Sequence, residues 1–264
     1  MRAAIGRGVL FVGLLIPLVP LAFWSITRTW QYPALLPQEF SMRGFEDLGR
    51  PGSDLLQGLT TSSIIAVIVT FAAAATGLSA GRALGLYSFR SKRLVQFLML
   101  APVIVPSFAV TMGIQVLFIR VGLADTLWGV ALVHMIPTVP YVTLVMGSVF
   151  ANYDIAYEEQ ARVLGASSLS IFRRVTLPAV FPGLAVASLF AFVISWSEYI
   201  LTFLVGGGTV KTMPLLLFAY IGGNDSTKAA ALGIIFVIPP LLLLALTSRY
   251  LTGSKKAISG LGQL

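Results

Sequence analysis

Six stretches of the chain are each about twenty residues of almost unbroken apolar side chains, and no other feature restricts the fold as much. A helix crossing a hydrocarbon core of about 30 Å needs roughly 20 mostly apolar residues. Inside lipid every backbone N–H and C=O must be satisfied within the segment or by its neighbours. The qualifying segments are Gly8 to Ile26, Thr61 to Leu86, Leu94 to Ile119, Leu127 to Phe150, Gly183 to Val205 and Ala229 to Tyr250. Composition agrees, because 264 residues that are 57% hydrophobic and 11% charged leave too little polar surface for a soluble domain. The expected fold is an all-α polytopic membrane protein with six transmembrane helices. Residues 1–264 form one membrane domain, with a core unit over about 60–250, an external segment at 27–58 and a polar cytoplasmic loop at 151–182.

Sidedness follows from the basic residues, since Lys and Arg accumulate in short cytoplasmic loops. Arg2, Arg7, Arg82, Arg90, Lys92, Arg93, Arg162, Arg173, Arg174, Arg249, Lys255 and Lys256 fall on one side. Only Arg28, Arg43, Arg50, Arg120, Lys211 and Lys228 fall on the other, together with most of the acids. Both termini are therefore expected in the cytoplasm, in a multi-pass membrane protein. The net charge of +8 is accounted for by this bias. Membrane lipid, and not nucleic acid, is the expected surroundings, since the charges flank spans instead of forming one basic face. The apolar run after Arg7 is longer than the core of a signal peptide and lacks a small-x-small cleavage site, so it reads as an uncleaved first span. Cysteine is absent, which removes disulfides, thiolate metal sites and cysteine nucleophiles. Prolines at 17, 20, 102, 106, 137, 140, 239 and 240 predict kinked spans. Residues 27–58, rich in Pro, Gly and charge, are expected to hold short surface helices.

The polar loop "YEEQARVLGASSLSIFRRVTLPAVFPG", Tyr157 to Gly183, is the longest polar interruption of the C-terminal half. Tyr157 to Leu164 reads as a helix, with Glu158 one turn before Arg162 in the favourable order for an ion pair. Gly165 supplies a left-handed stop. Ser167 or Ser168 caps a second short helix with Phe172 and Val175 on one side and Arg173 and Arg174 on the other, and Pro178 closes it. The spacing predicts a compact helix, turn, helix whose small residues let another backbone approach.

Glu159, Ala161, Gly165, Ala166, Phe172, Val175, Leu177 and Pro178 match at every offset the "EAA" loop signature of permease subunits of ATP-binding-cassette importers, and the chain resembles that family. Gln160 stands where the first alanine is usual, and Leu164 where an aspartate is common. The resemblance implies that the loop is a coupling helix seated in a groove of a separate ATPase, with Glu158, Glu159, Ala161, Arg162, Gly165, Ala166, Phe172 and Pro178 at or near that contact. It also implies an ATPase dimer, a second homologous permease subunit and an extracytoplasmic solute-binding protein as partners. The chain has no G-x-x-x-x-G-K-[ST] phosphate cradle. It is expected to be non-catalytic and to carry no cofactor, with ATP and Mg bound by the partner. The length and the pattern "TFLVGGGTVKTMPLLLFAYI" most resemble the spermidine/putrescine group. Sugar or glycerol-phosphate, thiamine, ferric-iron and phosphonate permeases share the loop.

Glu198, in "FVISWSEYILTF", is the only acid inside an expected span, and an ionisable group there points to function by default. Ser188, Ser195 and Thr202 recur every seven residues beside it. Ser195, Glu198, Tyr199 and Thr202 are the candidates for a substrate pathway or gate. The alternatives are interhelical hydrogen bonding by the hydroxyls and a Glu198 pair with Lys211 or with a sister subunit. His134, the lone histidine, has no second ligand at metal spacing and is expected to make an interior hydrogen bond. Gly206 to Gly208 reads as a flexible connector or gate element. A channel or ion-coupled carrier is the rival class, and it would have no use for the loop signature. An intramembrane enzyme would need a convergent nucleophile and base that the spans do not offer.

Overall fold

The computed structural model describes residues 13, 16, 18–30, 33–46, 50–105 and 107–252. Its elements run α1 (Leu18–Ser25), β1 (Thr27–Thr29), β2 (Glu39–Phe40), α2 (Asp54–Leu86), α3 (Lys92–Ile104), α4 (Ser107–Arg120) and α5 (Leu127–Ala151). They continue with α6 (Ala156–Val163), α7 (Ser168–Ile171), a π-turn (Phe172–Thr176), α8 (Leu177–Trp196), α9 (Ile200–Gly206), α10 (Met213–Gly222) and α11 (Ser226–Thr252).

The class is all-α, but the six expected spans are not all single helices. Among the described residues four helices are long and apolar enough to cross a membrane: Asp54–Leu86, Leu127–Ala151, Ser168–Trp196 and Ser226–Ser248. Three of them reproduce the second, fourth and sixth expected spans. The first expected span, and with it Arg2, Arg7 and Pro17, falls largely outside the described residues, as do Lys255 and Lys256. The third is two helices. The residue before a proline is driven out of the helical region, and Val105, which precedes Pro106, is extended at φ −81, ψ 134. The fifth is broken at residues 197–199, where α8 ends and α9 has not begun.

The chain divides into two compact units, each assembled from separated stretches: residues 1–62 with 211–239, and 63–210 with 240–264. In the first, the segment over residues 27–58 holds a small antiparallel clip, Thr27 opposite Phe40 and Thr29 opposite Glu39, where short helices were expected. Pro33 and Pro37 lie between its strands, and proline favours such extended and turn conformations over helix. Thr227 donates its hydroxyl to the Thr27 carbonyl at 2.6 Å, and the Arg43 guanidinium meets the Asp225 carboxylate at 2.8 Å. Gly44 lies where a Cβ would come within 2.8 Å of Ala231 Cβ, so only glycine fits.

In the second unit, a buried cluster of Ala73, Val142, Met146, Phe150, Val180, Ala187 and Ala191 joins α2, α5 and α8. Gly77, Gly81 and Gly85 form one seam on α2. A Cβ on Gly77 would lie 2.6 Å from Val142 Cγ1, one on Gly81 2.5 Å from Met146 Cβ, and one on Gly85 would overlap Phe150. Glycines four apart let two apolar helices approach to backbone contact, which in lipid replaces the missing hydrophobic drive with dispersion.

Candidate functional site

The polar elbow follows from local chemistry. Asp154 Oδ1 accepts the Ala156 N–H at 2.9 Å and starts α6. Glu158 and Glu159 occupy its first turn and Arg162 its last, each complementing the helix dipole. The stop is at Gly165, whose φ of +83° is open to glycine and strained for other residues. Its N–H bonds to Arg162 O at 3.0 Å, and the Ala166 N–H bonds to Ala161 O at 3.0 Å, the paired bonds of a Schellman stop. No atom lies within 4 Å of where a Gly165 Cβ would sit, so backbone conformation alone selects glycine here. Ser167, not Ser168, caps the second limb, its hydroxyl accepting the Ser170 N–H at 3.4 Å.

Two expectations for the elbow are corrected. Glu158 does not pair with Arg162. It turns inward, 3% exposed, and both its oxygens receive the Arg82 guanidinium, Nη1 to Oε1 and Nη2 to Oε2, each at 2.7 Å. Thr176 donates its hydroxyl to Oε1 at 2.7 Å. The physical reason is geometry: an exposed pair four apart on a helix gives about 0.2–0.5 kcal/mol, while two parallel charge-assisted hydrogen bonds to a buried carboxylate are stronger. The Arg82 hydrogen bonds hold the Glu158 carboxyl below the usual carboxylate range, against the opposing effect of burial and with further help from Thr176. Arg82 also lies over the Phe150 ring, 5.9 Å from its centroid. Pro178, in turn, does not close the second limb. It sits in the first turn of α8, and helix runs without a gap from Ser168 to Trp196. A proline ring clashes with the carbonyl four residues back. The π-turn ahead of it widens the helix, with Leu177 N–H bonding back to Phe172 O.

On the outer side of the elbow Glu159, Arg162, Arg173, Arg174 and Pro178 are exposed, while Ala161 and Ala166 are half-buried. Val163 is 88% and Leu164 86% exposed, and Phe172 shows 37% of its surface. These two bare aliphatic side chains stand at the helix end next to the exposed Arg162.

The fifth span is corrected as well. Glu198 is not inside a helix but in the break between α8 and α9, where its Oε1 accepts the Leu201 N–H at 3.2 Å and caps α9. Tyr199 stacks on Phe203 at 5.7 Å between centroids. Glu198 lines a cavity of about 70 Å³ with Pro102 and Val105 at the end of α3, Thr111 of α4 and Pro137 of α5. The breaks in the third and fifth expected spans therefore meet at one small cavity. Lys211 bonds Asp54 at 2.6 Å.

Ser195 and Thr202 lie on either side of the break and are joined by His134. Its Nδ1 is 2.9 Å from Ser195 Oγ and its Nε2 2.8 Å from Thr202 Oγ1, and all three residues are buried. The interior hydrogen bond expected of His134 is thus present twice. Ser188, the third member of the stripe, instead lines an apolar groove of about 910 Å³ with Phe71, Phe181, Phe192 and Leu246. Gly207 and Gly208 both take positive φ and terminate α9. Sequence reasoning missed Arg82, Thr176 and Phe150 beneath the elbow. It also passed over the glycine seam, which the spacing of Gly77, Gly81 and Gly85 announces.

The family described as "Binding-protein-dependent transport system inner membrane component" matches residues 73–254. Among curated proteins, the chain is 28% identical over 208 residues to the spermidine/putrescine transport system permease protein PotC of Haemophilus influenzae, covering 79% of this chain and 80% of that one. It is 26% identical over 189 residues to PotC of Escherichia coli, 72% of each chain. The putrescine transport system permease protein PotI of Escherichia coli is 28% identical over 204 residues, 73% of this chain and 71% of PotI. Two solved structures share the fold. One is a bacterial ABC transporter involved in the import of the acidic polysaccharide alginate, with TM-score 0.69, 18% identity and 95% of both chains covered. The other is the MetNI methionine ABC transporter in an inward-facing form, with TM-score 0.58, 17% identity, 74% of this chain and 93% of that chain covered. The chain belongs to the family of inner-membrane components of binding-protein-dependent transport systems.

Proposed function

We propose that this permease subunit imports polyamines by alternating access, driven through the elbow at residues 156–178 by a separate ATPase dimer. The observation that carries the coupling role is the elbow itself: a helix stopped by Gly165, presenting Glu159 and Arg162 around bare Val163 and Leu164. A groove in the partner ATPase supplies the cover those aliphatic groups lack, and that ATPase binds ATP and Mg. Both termini lie with the elbow on the cytoplasmic side, in keeping with the basic residues at Arg82, Arg90, Lys92 and Arg93. A second, homologous permease completes the path. A solute-binding protein delivers cargo to the opposite face, where residues 27–58 and the loop after Gly206 lie.

Cargo class rests on the PotC and PotI relatives, whose names specify spermidine and putrescine. A carboxylate at the meeting of two broken spans suits a cationic solute, because irregular backbone within a membrane is tolerated where it lines a cavity. Glu198 and Tyr199 are the pathway or gate residues on this reading, with Ser195 and Thr202 holding the break through His134.

The test is uptake by the intact complex, purified from its native host through a tag on this chain and sealed in vesicles with ATP. Labelled spermidine or putrescine enters, and unlabelled polyamine competes while maltose and glycerol phosphate do not; competition by a sugar would reject the cargo. Glu198→Gln lowers polyamine uptake at least tenfold in the same vesicles, and an unchanged rate would return Glu198 to a helix cap alone.

A further inference from the structure

Arg82 comes from α2, beneath the elbow, with 28% of its side chain exposed, and its contacts tie several elements together. Its two parallel hydrogen bonds to Glu158, its place over Phe150 and the Thr176 hydroxyl on the same carboxylate join α2, α6 and the π-turn at one point. It lies beside the glycine seam that binds α2 to α5, over the Phe150 ring against which Gly85 packs. The pair also floors a cavity of about 300 Å³, walled by Arg162, Ser168, Ile171 and Phe172 between the two limbs of the elbow.

Stability alone does not explain such a pair, since a buried ion pair is often no more stable than apolar residues of the same volume. Fixed geometry does. Apolar contacts slide, whereas two parallel charge-assisted hydrogen bonds set both distance and orientation. We propose that Arg82 is a positioning residue for coupling, clamping the elbow to the α2–α5 seam so that both move as one body when the ATPase moves the elbow. This rests on the coupling role proposed above. Thr176 extends the clamp to the start of α8 through the π-turn, a widened helical turn of the kind found at functional sites.

The chain contains no cysteine, so two nitroxides can be placed on it at chosen positions, by Tyr157→Cys on the exposed flank of α6 and Ser88→Cys just past α2, with the labelled parent complex lacking both as the background control. Pulsed electron resonance on the native-host complex then reads the distance between them with and without a non-hydrolysable ATP analogue. With Arg82 and Glu158 intact the distance stays the same in both states. With Arg82→Met and Glu158→Gln together, which removes both charges and leaves neither buried alone, the distance matches the parent without nucleotide. It departs on adding nucleotide by about 2–5 Å, the scale of a helix shift. Arg82→Lys keeps the charge but not the fork, and gives an intermediate departure.

A double variant that tracks the parent in both states overturns the proposal. So does one already displaced without nucleotide, since the pair would then merely hold the elbow in place. If no ATPase subunit co-purifies with the parent chain, the coupling role itself fails. If it does and the double variant tracks the parent, only the assignment of Arg82 falls.

Discussion

Glu158 and Glu159 are adjacent in sequence, but one is sealed under the elbow by Arg82 and Thr176 while the other stays in solvent. Glu158→Ala leaves the Arg82 guanidinium, 28% exposed, without its partner and costs about 1–3 kcal/mol, to be measured as the loss of unfolding free energy in detergent. Glu159→Ala stays within about 0.5 kcal/mol, as for surface positions free of such contacts. The pair also sets a pH dependence. Because the folded Glu158 carboxyl lies below its ordinary range, its contribution is fully present above that range. It is lost as pH falls through the lowered folded value. Unfolding midpoints measured from pH 7 downward should therefore converge for the parent and Glu158→Gln only in acid, below the ordinary glutamate range. Nothing local in the sequence encodes this pair. Arg82 and Glu158 are 76 positions apart, and the spacing rule that put Glu158 beside Arg162 describes a helix in isolation.

At the scale of elements, the signals that proved readable are those in which one residue decides one conformation. Gly165 stops α6, Ser167 caps α7, and the uniform runs of the second, fourth and sixth spans became helices Asp54–Leu86, Leu127–Ala151 and Ser226–Thr252. Continuity of a helix was not readable. Hydropathy registers that "ISWSEYIL" can lie in a membrane but is blind to whether its backbone stays helical, so the break at Glu198 was hidden. The break after Ile104 had a signal in Pro106, which was taken for a kink. The glycine seam makes the sharpest test at this scale. Gly81→Val places branched carbon against Met146 Cβ and the Gly147 backbone, which cannot retreat, and overpacking of this kind costs about 1–3 kcal/mol. Gly113→Val, where nothing lies within 4 Å of the new Cβ, costs only the fraction of a kcal/mol typical of open sites. Thermal unfolding of the two variants side by side checks this, and equal losses would remove the seam from the account.

At the scale of the whole molecule, apolar helices and one polar elbow are built by different means. The bundle is built by close packing and a few buried polar groups, His134 with Ser195 and Thr202 chief among them. The elbow is built by the stop at Gly165 and the ion pair of Arg82 with Glu158. Membrane residence and fold class were legible because composition alone forces them. The importer assignment was legible because the loop signature fixes eight positions at set offsets. The number of unbroken spans was not, because it depends on contacts between distant segments. The central claim is that movement of solute requires a nucleotide-driven partner acting on the elbow. Its most direct test is polyamine uptake, with the solute-binding protein supplied outside, into vesicles carrying this chain and its sister permease, with and without the ATPase and with Gly165→Trp in the complete complex. The account predicts uptake only when ATPase, ATP and an intact Gly165 are all present; undiminished uptake without the ATPase, or by the Gly165→Trp complex, would contradict it.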